Sequence, residues 1–83
     1  MPKNQKKLLQ AFGAHLKLIR EGKKVRIGEK ISLRRLDQIS EIDHSQIHRI
    51  EKGETAPSLI TLKALADGLE VSLIDLVNFE IED

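Results

Sequence analysis

Side chains that could take part in binding or catalysis are concentrated in one short run of the chain, between Asp43 and Gly53. Ile47 and Ile50 in this run have the spacing of a buried helix face. The other residues would then point outward, and all of them carry hydrogen-bonding groups: His44, Ser45, Gln46, His48 and Arg49. Recognition through hydrogen bonds is the chemistry that such a polar edge can perform, so its ligand has to be inferred from the rest of the chain.

Metal binding and catalysis are the alternatives to recognition at this edge. His44 and His48 are four residues apart, which allows two imidazoles on one helical face to bind one metal ion. Glu51 has the spacing of a third ligand, but the run lacks the His-Glu-x-x-His pattern of zinc enzymes. The chain has no cysteine, and spacing alone assembles no Ser/His/Asp constellation. We therefore predict no metal, no cofactor and no enzymatic activity, with both histidines facing solvent or a macromolecular ligand.

Length and composition predict one small helical domain. The chain has 83 residues, of which 40% are apolar, and its only aromatic residues are Phe12 and Phe79. A core of Leu, Ile, Val and Ala is typical of packed helices, so we predict an all-α domain over 1–83, with its core in 8–77 and an acidic tail at 78–83. No apolar run approaches ~18 residues, which predicts a cytoplasmic protein without a membrane partner. The small size also predicts no separate sensing domain and no small-molecule ligand.

The net charge of +1 hides a strong asymmetry along the chain. Residues 1–52 contain 13 Lys and Arg against 6 Asp and Glu, whereas residues 53–83 contain 1 against 7. A basic part with a net charge of +7 and an acidic part with −6 favour a polyanionic ligand on one side of the molecule. Part of the basic charge lies in the connection Lys23 to Ile31, for which phosphate contact and a solvated connector both remain open.

The first helix is predicted from about Asn4 to Glu21, where Gly22 ends it. Gly13 in its middle costs roughly 1 kcal/mol relative to alanine, which predicts the close approach of another backbone. The residues expected to face inward are Leu8, Leu9, Phe12, Leu16 and Ile19.

The pattern over 32–52 predicts two short helices joined by a tight turn. Ser32 is a typical N-cap for a second helix that runs to about Ser40, with Leu36 and Ile39 inward. The third helix follows the turn at Glu41 to Asp43 and runs to about Lys52. Its start has a typical cap in Asp43, with Gln46 completing a pair like a capping box, and Gly53 is its predicted left-handed stop.

Two further helices are predicted after the loop at Gly53 to Pro57. Ser58 is the expected cap of the fourth helix and Ser72 of the fifth. Apolar residues at helical spacing form the inward face of each. In the fourth helix they are Leu59, Leu62, Leu65, Ala66 and Leu69, and in the fifth Leu73, Leu76 and Val77.

Several motifs share a characteristic spacing along residues 11–77. They are Phe12-Gly13-x-x-Leu16-x-x-Ile19-Arg20, Ser32-x-x-x-Leu36, Ile42-Asp43-x-x-x-Ile47-x-x-Ile50-Glu51-x-Gly53, Pro57-Ser58-x-x-Thr61-Leu62-x-x-Leu65-Ala66 and Leu69-x-Val71-Ser72-x-x-x-Leu76. This pattern resembles the Cro and phage-repressor (Xre-type) helix-turn-helix family. The resemblance implies a compact five-helix bundle of the lambda-repressor type that binds double-stranded DNA as a transcriptional regulator, a repressor or a controller, with the third helix in the major groove.

The resemblance also implies roles for individual residues. Contacts to base edges are expected from His44, Ser45 and Arg49, and contacts to bases or phosphates from Gln46 and His48. Arg49 is the strongest expected reader, because its planar fork can donate two parallel bonds to guanine O6 and N7. Arg20 late in the first helix is expected to form a structural ion pair with Glu51. The residues implied as phosphate contacts are Arg34, Arg35, Lys52 and Ser58.

Three features depart from the pattern of the family. Leu33 occupies the position after the second helix cap where the family usually has a phosphate-binding glutamine. Glu41 occupies a turn position that usually offers glycine, at some strain if its backbone is left-handed. The Lys23 to Ile31 connection is longer than usual. These departures leave the orientation on DNA the least defined part of the interpretation.

The expected assembly is a homodimer on a roughly palindromic operator, through the C-terminal helix and tail. Phe79 and Ile81 in the tail could belong either to the core or to this interface. The alternative function is a protein-interaction module with the same fold, such as an antitoxin or an anti-repressor partner.

Overall fold

The chain folds into five helices in the predicted order. The computed structural model describes residues 5–24 and 30–81, and these ranges contain no strand. The helices are α1 (Gln5–Arg20), α2 (Leu33–Ser40), α3 (His44–Glu51), α4 (Leu59–Leu69) and α5 (Leu73–Val77). The predicted all-α class and five-helix architecture are confirmed. The predicted helix start at Asn4, the middle of the basic connection (25–29) and the last two residues of the acidic tail lie outside the described residues.

Side-chain caps begin four of the helices at the predicted positions. The hydroxyl of Ser32 accepts a hydrogen bond from the backbone N–H of Arg35, three residues on. Equivalent bonds satisfy the otherwise unpaired first-turn N–H groups of the other helices, each worth about 0.5–2 kcal/mol. Their caps are Asp43 for α3, Ser58 for α4 and Ser72 for α5.

Left-handed residues follow the ends of α2 and α3, and the first of them forms the turn. Gly53 has a φ of 75°, as its position after α3 predicts. Glu41 adopts the left-handed conformation (φ 62°, ψ 19°) that the turn between α2 and α3 requires, and its N–H donates to the carbonyl of Asp37. A residue with a Cβ is strained there by roughly 1–2 kcal/mol, so the departure from glycine at Glu41 has the expected structural cost.

Every helix contributes to a single aliphatic core. α1 packs on α3 and α5, α2 packs on α3 and α4, and α4 packs on α5. Burying each large apolar side chain stabilises the fold by about 1.5–3 kcal/mol. The largest fully buried residues are Leu16, Ile19, Leu36, Ile47, Ile50, Leu65, Leu69 and Leu76.

Four residues predicted to face the core are exposed instead: Leu8, Ile39, Leu59 and Val77. Along α4, exposure falls from 69% at Leu59 to zero at Leu65, so the first turn extends past the core. In α2 the buried residues are Leu36 and Ser40, four apart, which turns Ile39 outward. Leu8 lies in the first turn of α1, before its buried stretch begins, and Val77 ends α5, so both also lie at the margin of the core.

The C-terminal tail folds back onto α1. Phe79 is half-buried, with its ring centroid 5.6 Å from that of Phe12 and 5.6 Å from that of His15. His15 is itself buried, and its Nε2 lies 3.0 Å from the carbonyl oxygen of Asp75 in α5. Phe79 therefore belongs to the core, whereas Ile81 is exposed.

No helix in residues 5–24 or 30–81 is both long enough and apolar enough to cross a membrane.

Candidate nucleic-acid interface

The turn between α2 and α3 is held by side chains as well as by backbone. Ser40 is buried; its hydroxyl donates to the carbonyl of Leu36 at 2.5 Å and accepts from the N–H of Ile42 at 3.2 Å. These bonds satisfy polar groups at the end of α2 that the turn would otherwise leave unpaired. These hydrogen bonds therefore help to fix the angle between α2 and α3.

Asp37 links α2 directly to the first residue of α3. Its Oδ2 accepts the backbone N–H of His44 at 2.9 Å and lies 2.9 Å from Nδ1 of the same residue. The polar edge of α3 therefore begins with a side chain whose position is fixed from another helix. Sequence reasoning missed Asp37, because the turn breaks the helix between the two residues and helical spacing therefore does not bring them together.

The predicted reading residues lie on the outer side of α3. Ile47 and Ile50 are buried beneath them, as predicted. The side chains that face outward differ in exposure: Ser45, His48, Arg49 and Lys52 are exposed, and His44 and Gln46 are half-buried. The six predicted contact residues of 44–52 therefore lie together on the side of α3 opposite the buried Ile47 and Ile50.

Most of the basic groups of this region have no acidic partner. Within residues 5–24 and 30–81, Arg34, Arg35 and Arg49 are exposed and form no ion pair. Lys52 Nζ lies 3.2 Å from Glu54, with both side chains about half exposed, and such surface pairs contribute little. These four cations are therefore available to bind an anion.

Leu33 occupies the position at the start of α2 where the family resemblance led us to expect a phosphate-binding glutamine. Its side chain is half-buried and packs against the core. The next two residues, Arg34 and Arg35, are the exposed ones. Leu33 thus packs against the core, and the two arginines beside it are exposed, without an ion pair in residues 5–24 and 30–81.

Ser58 is positioned by its capping role. It is exposed; its hydroxyl accepts the N–H of Thr61 at 3.1 Å and donates to the Thr61 hydroxyl at 3.0 Å. The N-terminal end of α4 therefore combines an outward polar side chain with the positive end of a helix dipole.

Ser45 is engaged in the cap of its own helix. Its backbone N–H donates to Asp43 Oδ2 at 3.1 Å, and its hydroxyl donates to the same carboxylate. The hydroxyl hydrogen bond is the largest cause of a lowered pKa of Asp43. Ser45 thus offers an outside ligand mainly its acceptor capacity.

The carboxyl of Asp37 also has a pKa below its ordinary value of 3.8, first because of the side-chain hydrogen bond from His44 and then because of the backbone one. A group with a lower pKa in the folded than in the unfolded state stabilises the fold above the unfolded value. That contribution is lost as the pH falls through the folded value. Asp37 should therefore stabilise the fold fully above about pH 4 and progressively less below it.

We predict that Asp37→Asn makes the free energy of unfolding less dependent on pH in this acid range. Urea unfolding of both proteins should show a stability difference that is constant between about pH 5 and 6 and shrinks below about pH 4. Asparagine preserves the shape and the oxygen acceptor, so the comparison isolates the charge. A difference that is unchanged down to the acid transition would show that the carboxylate charge of Asp37 does not stabilise the fold.

A buried ion pair anchors the end of α3 to the end of α1. Arg20 Nε donates to Glu51 Oε2 at 2.6 Å, and Arg20 Nη2 donates to Oε1 at 3.0 Å, with the side chains 8% and 4% exposed. Arg20 Nη1 also donates to the carbonyl of Ile31 at 2.9 Å, whose N–H returns a bond to the Arg20 carbonyl at 2.8 Å. One guanidinium therefore joins α1, α3 and the segment that leads into α2.

Glu51 is consequently not a partner for the histidines of α3. Among the described residues, one group of potential metal ligands does lie close together: Asp37, Asp43 and His44, with ligand atoms within 4.8 Å of one another. The pair Asp37 and His44 is already joined by hydrogen bonds. The arrangement is a hydrogen-bonded support for the start of α3, and His48 lies outside it.

Comparison with known proteins gives a consistent result. The helix-turn-helix family HTH_3 matches residues 23–76. The restriction-modification controller protein C.AhdI from Aeromonas hydrophila has a similar structure, with a TM-score of 0.71, 28% identity and coverage of 82% of this chain and 94% of that chain. The clp gene regulator ClgR from Corynebacterium glutamicum is also similar in structure, with a TM-score of 0.70 and 26% identity. The match covers 84% of this chain and 83% of that chain.

A larger protein contains the same fold as one part. The apo form of the competence regulator ComR from Streptococcus vestibularis matches with a TM-score of 0.71 and 32% identity, covering 86% of this chain and 22% of that chain. A search of curated protein sequences gave no significant match.

Proposed function

The chain belongs to the HTH_3 helix-turn-helix family and is a DNA-binding transcriptional regulator, and from this premise we propose that it places α3 in the major groove of a roughly palindromic operator. The observation that carries the proposal is the outer side of α3, where exposed polar residues lie over the buried Ile47 and Ile50. Two exposed arginines at the start of α2, Arg34 and Arg35, accompany it; neither forms an ion pair within the part of the chain that the structure describes. We assign the chain no catalytic role.

Arg49 is the proposed principal base reader. It is exposed on the side of α3 opposite its buried isoleucines, and no acidic side chain in the described residues competes for it. A bidentate pair with guanine is worth about 1–3 kcal/mol of discrimination against other bases. His44 and Ser45 are proposed as further base contacts, and Gln46 and His48 as contacts to bases or phosphates.

Phosphate binding is assigned to groups that flank α3. Arg34 and Arg35 extend from the start of α2, and Lys52 follows the end of α3. Ser58 adds the N-terminal end of α4, where backbone N–H groups and the helix dipole favour an anion. Such contacts set register and affinity without reading sequence.

Opposite effects of two arginine substitutions test this division. Arg49→Ala should relax preference at one base position by about 1–3 kcal/mol while leaving non-specific affinity nearly unchanged. Arg34→Ala should weaken binding to all sequences and reduce the slope of log K against log salt by about 0.9. Titration of operator and random duplexes over a salt series measures both quantities.

Two outcomes of this titration would contradict the proposal. Equal losses on every sequence from both variants would show that Arg49 does not read a base. Wild-type affinity that is flat between low and physiological salt would exclude phosphate neutralisation and with it the DNA-binding mode proposed here.

The proposed assembly is a homodimer through α5 and the tail. Ile74 on α5 is 76% exposed, and Val77 and Ile81 are exposed beside it in the chain. Leu59 and Ile60 at the start of α4, which packs on α5, add further exposed apolar surface. A set of exposed large apolar residues on contacting helices is typical of an interface between subunits.

Ile74→Glu is expected to shift the protein to monomer and to weaken operator binding at least tenfold, because a dimer engages two half-sites about 34 Å apart. Ile39→Glu on α2, at an apolar residue that is 40% exposed and lies outside α5 and the tail, is the matched control and should remain dimeric. Sedimentation analysis at several concentrations, with and without DNA, measures the effect. A wild-type protein that stays monomeric throughout would exclude this assembly.

We further propose that the protein acts as a repressor or a controller. A restriction-modification controller is among the structures that share its fold across nearly the whole chain. The alternative of an antitoxin or anti-repressor partner is not favoured by the family match or by the similar structures. Selection of bound sequences from a random DNA library would identify the operator.

A further inference from the structure

We propose that Asp37 determines sequence specificity indirectly, by fixing His44 in the tautomer whose outer nitrogen accepts a hydrogen bond from DNA. In this arrangement His44 selects a base that presents an amino group in the major groove, adenine or cytosine. Asp37 is a positioning residue, because it acts on DNA only through His44. The inference rests on the proposed placement of α3 in the major groove.

The first step is the location of the hydrogen on the imidazole. Asp37 Oδ2 lies 2.9 Å from Nδ1 of His44 and accepts the backbone N–H of the same residue, also at 2.9 Å. An ionised carboxylate can only accept hydrogen bonds, so Nδ1 must be the donor. The lowered pKa of Asp37, caused first by this bond, keeps the carboxylate ionised at neutral pH.

The second step concerns the other ring nitrogen. A neutral imidazole carries one hydrogen, so Nε2 becomes an acceptor when Nδ1 is the donor. Nε2 of His44 has no hydrogen-bond partner within the described part of the chain, and the side chain is 40% exposed. His44 is also the first residue of α3, and the N-terminal residues of a recognition helix are those that contact base edges.

The third step is the donor and acceptor pattern of DNA. In the major groove the only donors are the amino groups N6 of adenine and N4 of cytosine, whereas guanine and thymine present acceptors. An acceptor at Nε2 therefore attracts adenine or cytosine and is repelled by the lone pairs of guanine O6 and N7 or thymine O4. The opposite tautomer would reverse this preference.

Both charged groups beside the imidazole favour a hydrogen on Nδ1. The charged groups facing the imidazole are both acidic: Asp37 from α2 at 2.9 Å and Asp43 from the turn at 3.8 Å. A donor at Nε2, which the opposite tautomer would provide, would instead match guanine O6 or N7, thymine O4 or adenine N7.

The tautomer can be measured without DNA. In uniformly ¹⁵N-labelled protein at about pH 8, the imidazole nitrogen shifts of His44 should report the Nδ1–H form. His48, which has no carboxylate within 4.0 Å in the described residues, is an internal control and should show a mixture of forms. Asp37→Ala should give His44 the same mixture. An Nε2–H form at His44 in the wild-type protein would overturn the proposal.

Asp37→Asn is the matched variant if alanine disturbs folding. The backbone N–H of His44 can only donate, so it selects the amide oxygen of the asparagine, and the same oxygen can accept from Nδ1. The variant should therefore keep the Nδ1–H form. Loss of that form in Asp37→Asn would show that the acceptor at this position does not control the tautomer.

Selection from a random DNA library provides the functional readout. At about pH 8, the wild-type protein should prefer adenine or cytosine over guanine at one position of each half-site by about 5- to 100-fold. His44→Ala should abolish this preference, and Asp37→Ala should reduce it.

The two experiments separate the inference from the proposed function. A defined operator with no base preference that depends on Asp37 or His44 would overturn the inference and leave the proposed function standing. Failure to select any DNA sequence would overturn the proposed function, while the tautomer measurement would still decide how Asp37 acts on His44.

Discussion

Glu51→Ala is expected to lower the free energy of unfolding by about 3–5 kcal/mol, because it leaves the guanidinium of Arg20 buried without its charge partner. Both hydrogen bonds to the carboxylate would be lost, and only the bond to the Ile31 carbonyl would remain. With 8% of the Arg20 side chain exposed, water cannot replace them fully. The loss should be visible directly in urea unfolding.

A double substitution is the appropriate control for this prediction. Arg20→Met combined with Glu51→Leu removes both charges and keeps most of the buried volume. The double variant should therefore be much less destabilised than a variant that lacks only one partner of the pair. The difference separates the cost of an unpaired charge from the net contribution of the pair. If Glu51→Ala unfolds at the same midpoint urea concentration as the wild-type protein, the pair does not stabilise the fold.

The local features of this fold could be predicted because they depend on neighbours in sequence. A serine or aspartate at an N-cap bonds to an N–H two or three residues on, so Ser32 and Asp43 could be assigned from type and position alone. The left-handed backbone at Gly53 follows in the same way. The order of the helices and the outward polar side of α3 followed from these local assignments and from the family spacing.

The depth of burial was less predictable, because it depends on where neighbouring helices end. Leu59 has the correct helical phase for the core, but α4 begins outside it. His15 shows the opposite error: the predicted inward face of α1 omits it, although its spacing from Phe12 and Ile19 places it on the buried face. That spacing was the available signal, and the residue type obscured it.

Contacts between distant residues required the structure. The bond from His15 to the carbonyl of Asp75 joins residues 60 positions apart, and Asp37 contacts His44 across a turn. The two residues of each pair lie in different helices, so helical spacing does not indicate either contact. The Arg20–Glu51 contact joins residues 31 positions apart, and only the resemblance to a family suggested it. The side chains that support α3 were therefore harder to predict than those on its outer face.

Gly13→Ala is expected to lower the free energy of unfolding by about 1–3 kcal/mol or more, although alanine favours helix by roughly 1 kcal/mol. A Cβ at residue 13 would lie 2.4 Å from the carbonyl oxygen of Glu51 and 2.5 Å from that of Ile50. Both atoms are backbone, so no side-chain rotation relieves the overlap and α1 must separate from α3. The prediction that another backbone comes close at Gly13 is confirmed by this contact.

Gly68→Ala is the matched control, since it also places alanine inside a helix. There the nearest neighbours are Leu36 Cδ1 and Ser40 Cβ, each at 3.2 Å, so the overlap is much smaller than at Gly13 and the Leu36 methyl group can rotate away. Its effect in urea unfolding should be much smaller than that of Gly13→Ala. Equal stability of Gly13→Ala and the wild-type protein would show that α1 and α3 can separate without cost.

The end of α3 is held against α1 by two contacts that depend on each other. The Glu51 carbonyl lies over Gly13, and the carboxylate of the same residue binds Arg20. Moving the helices apart by adding a Cβ at residue 13 should therefore also weaken the ion pair. Gly13→Ala combined with Glu51→Ala should cost less than the sum of the single losses, with a coupling of at least about 0.5 kcal/mol. Strict additivity in a double-mutant cycle would mean that the glycine contact and the ion pair position α3 independently.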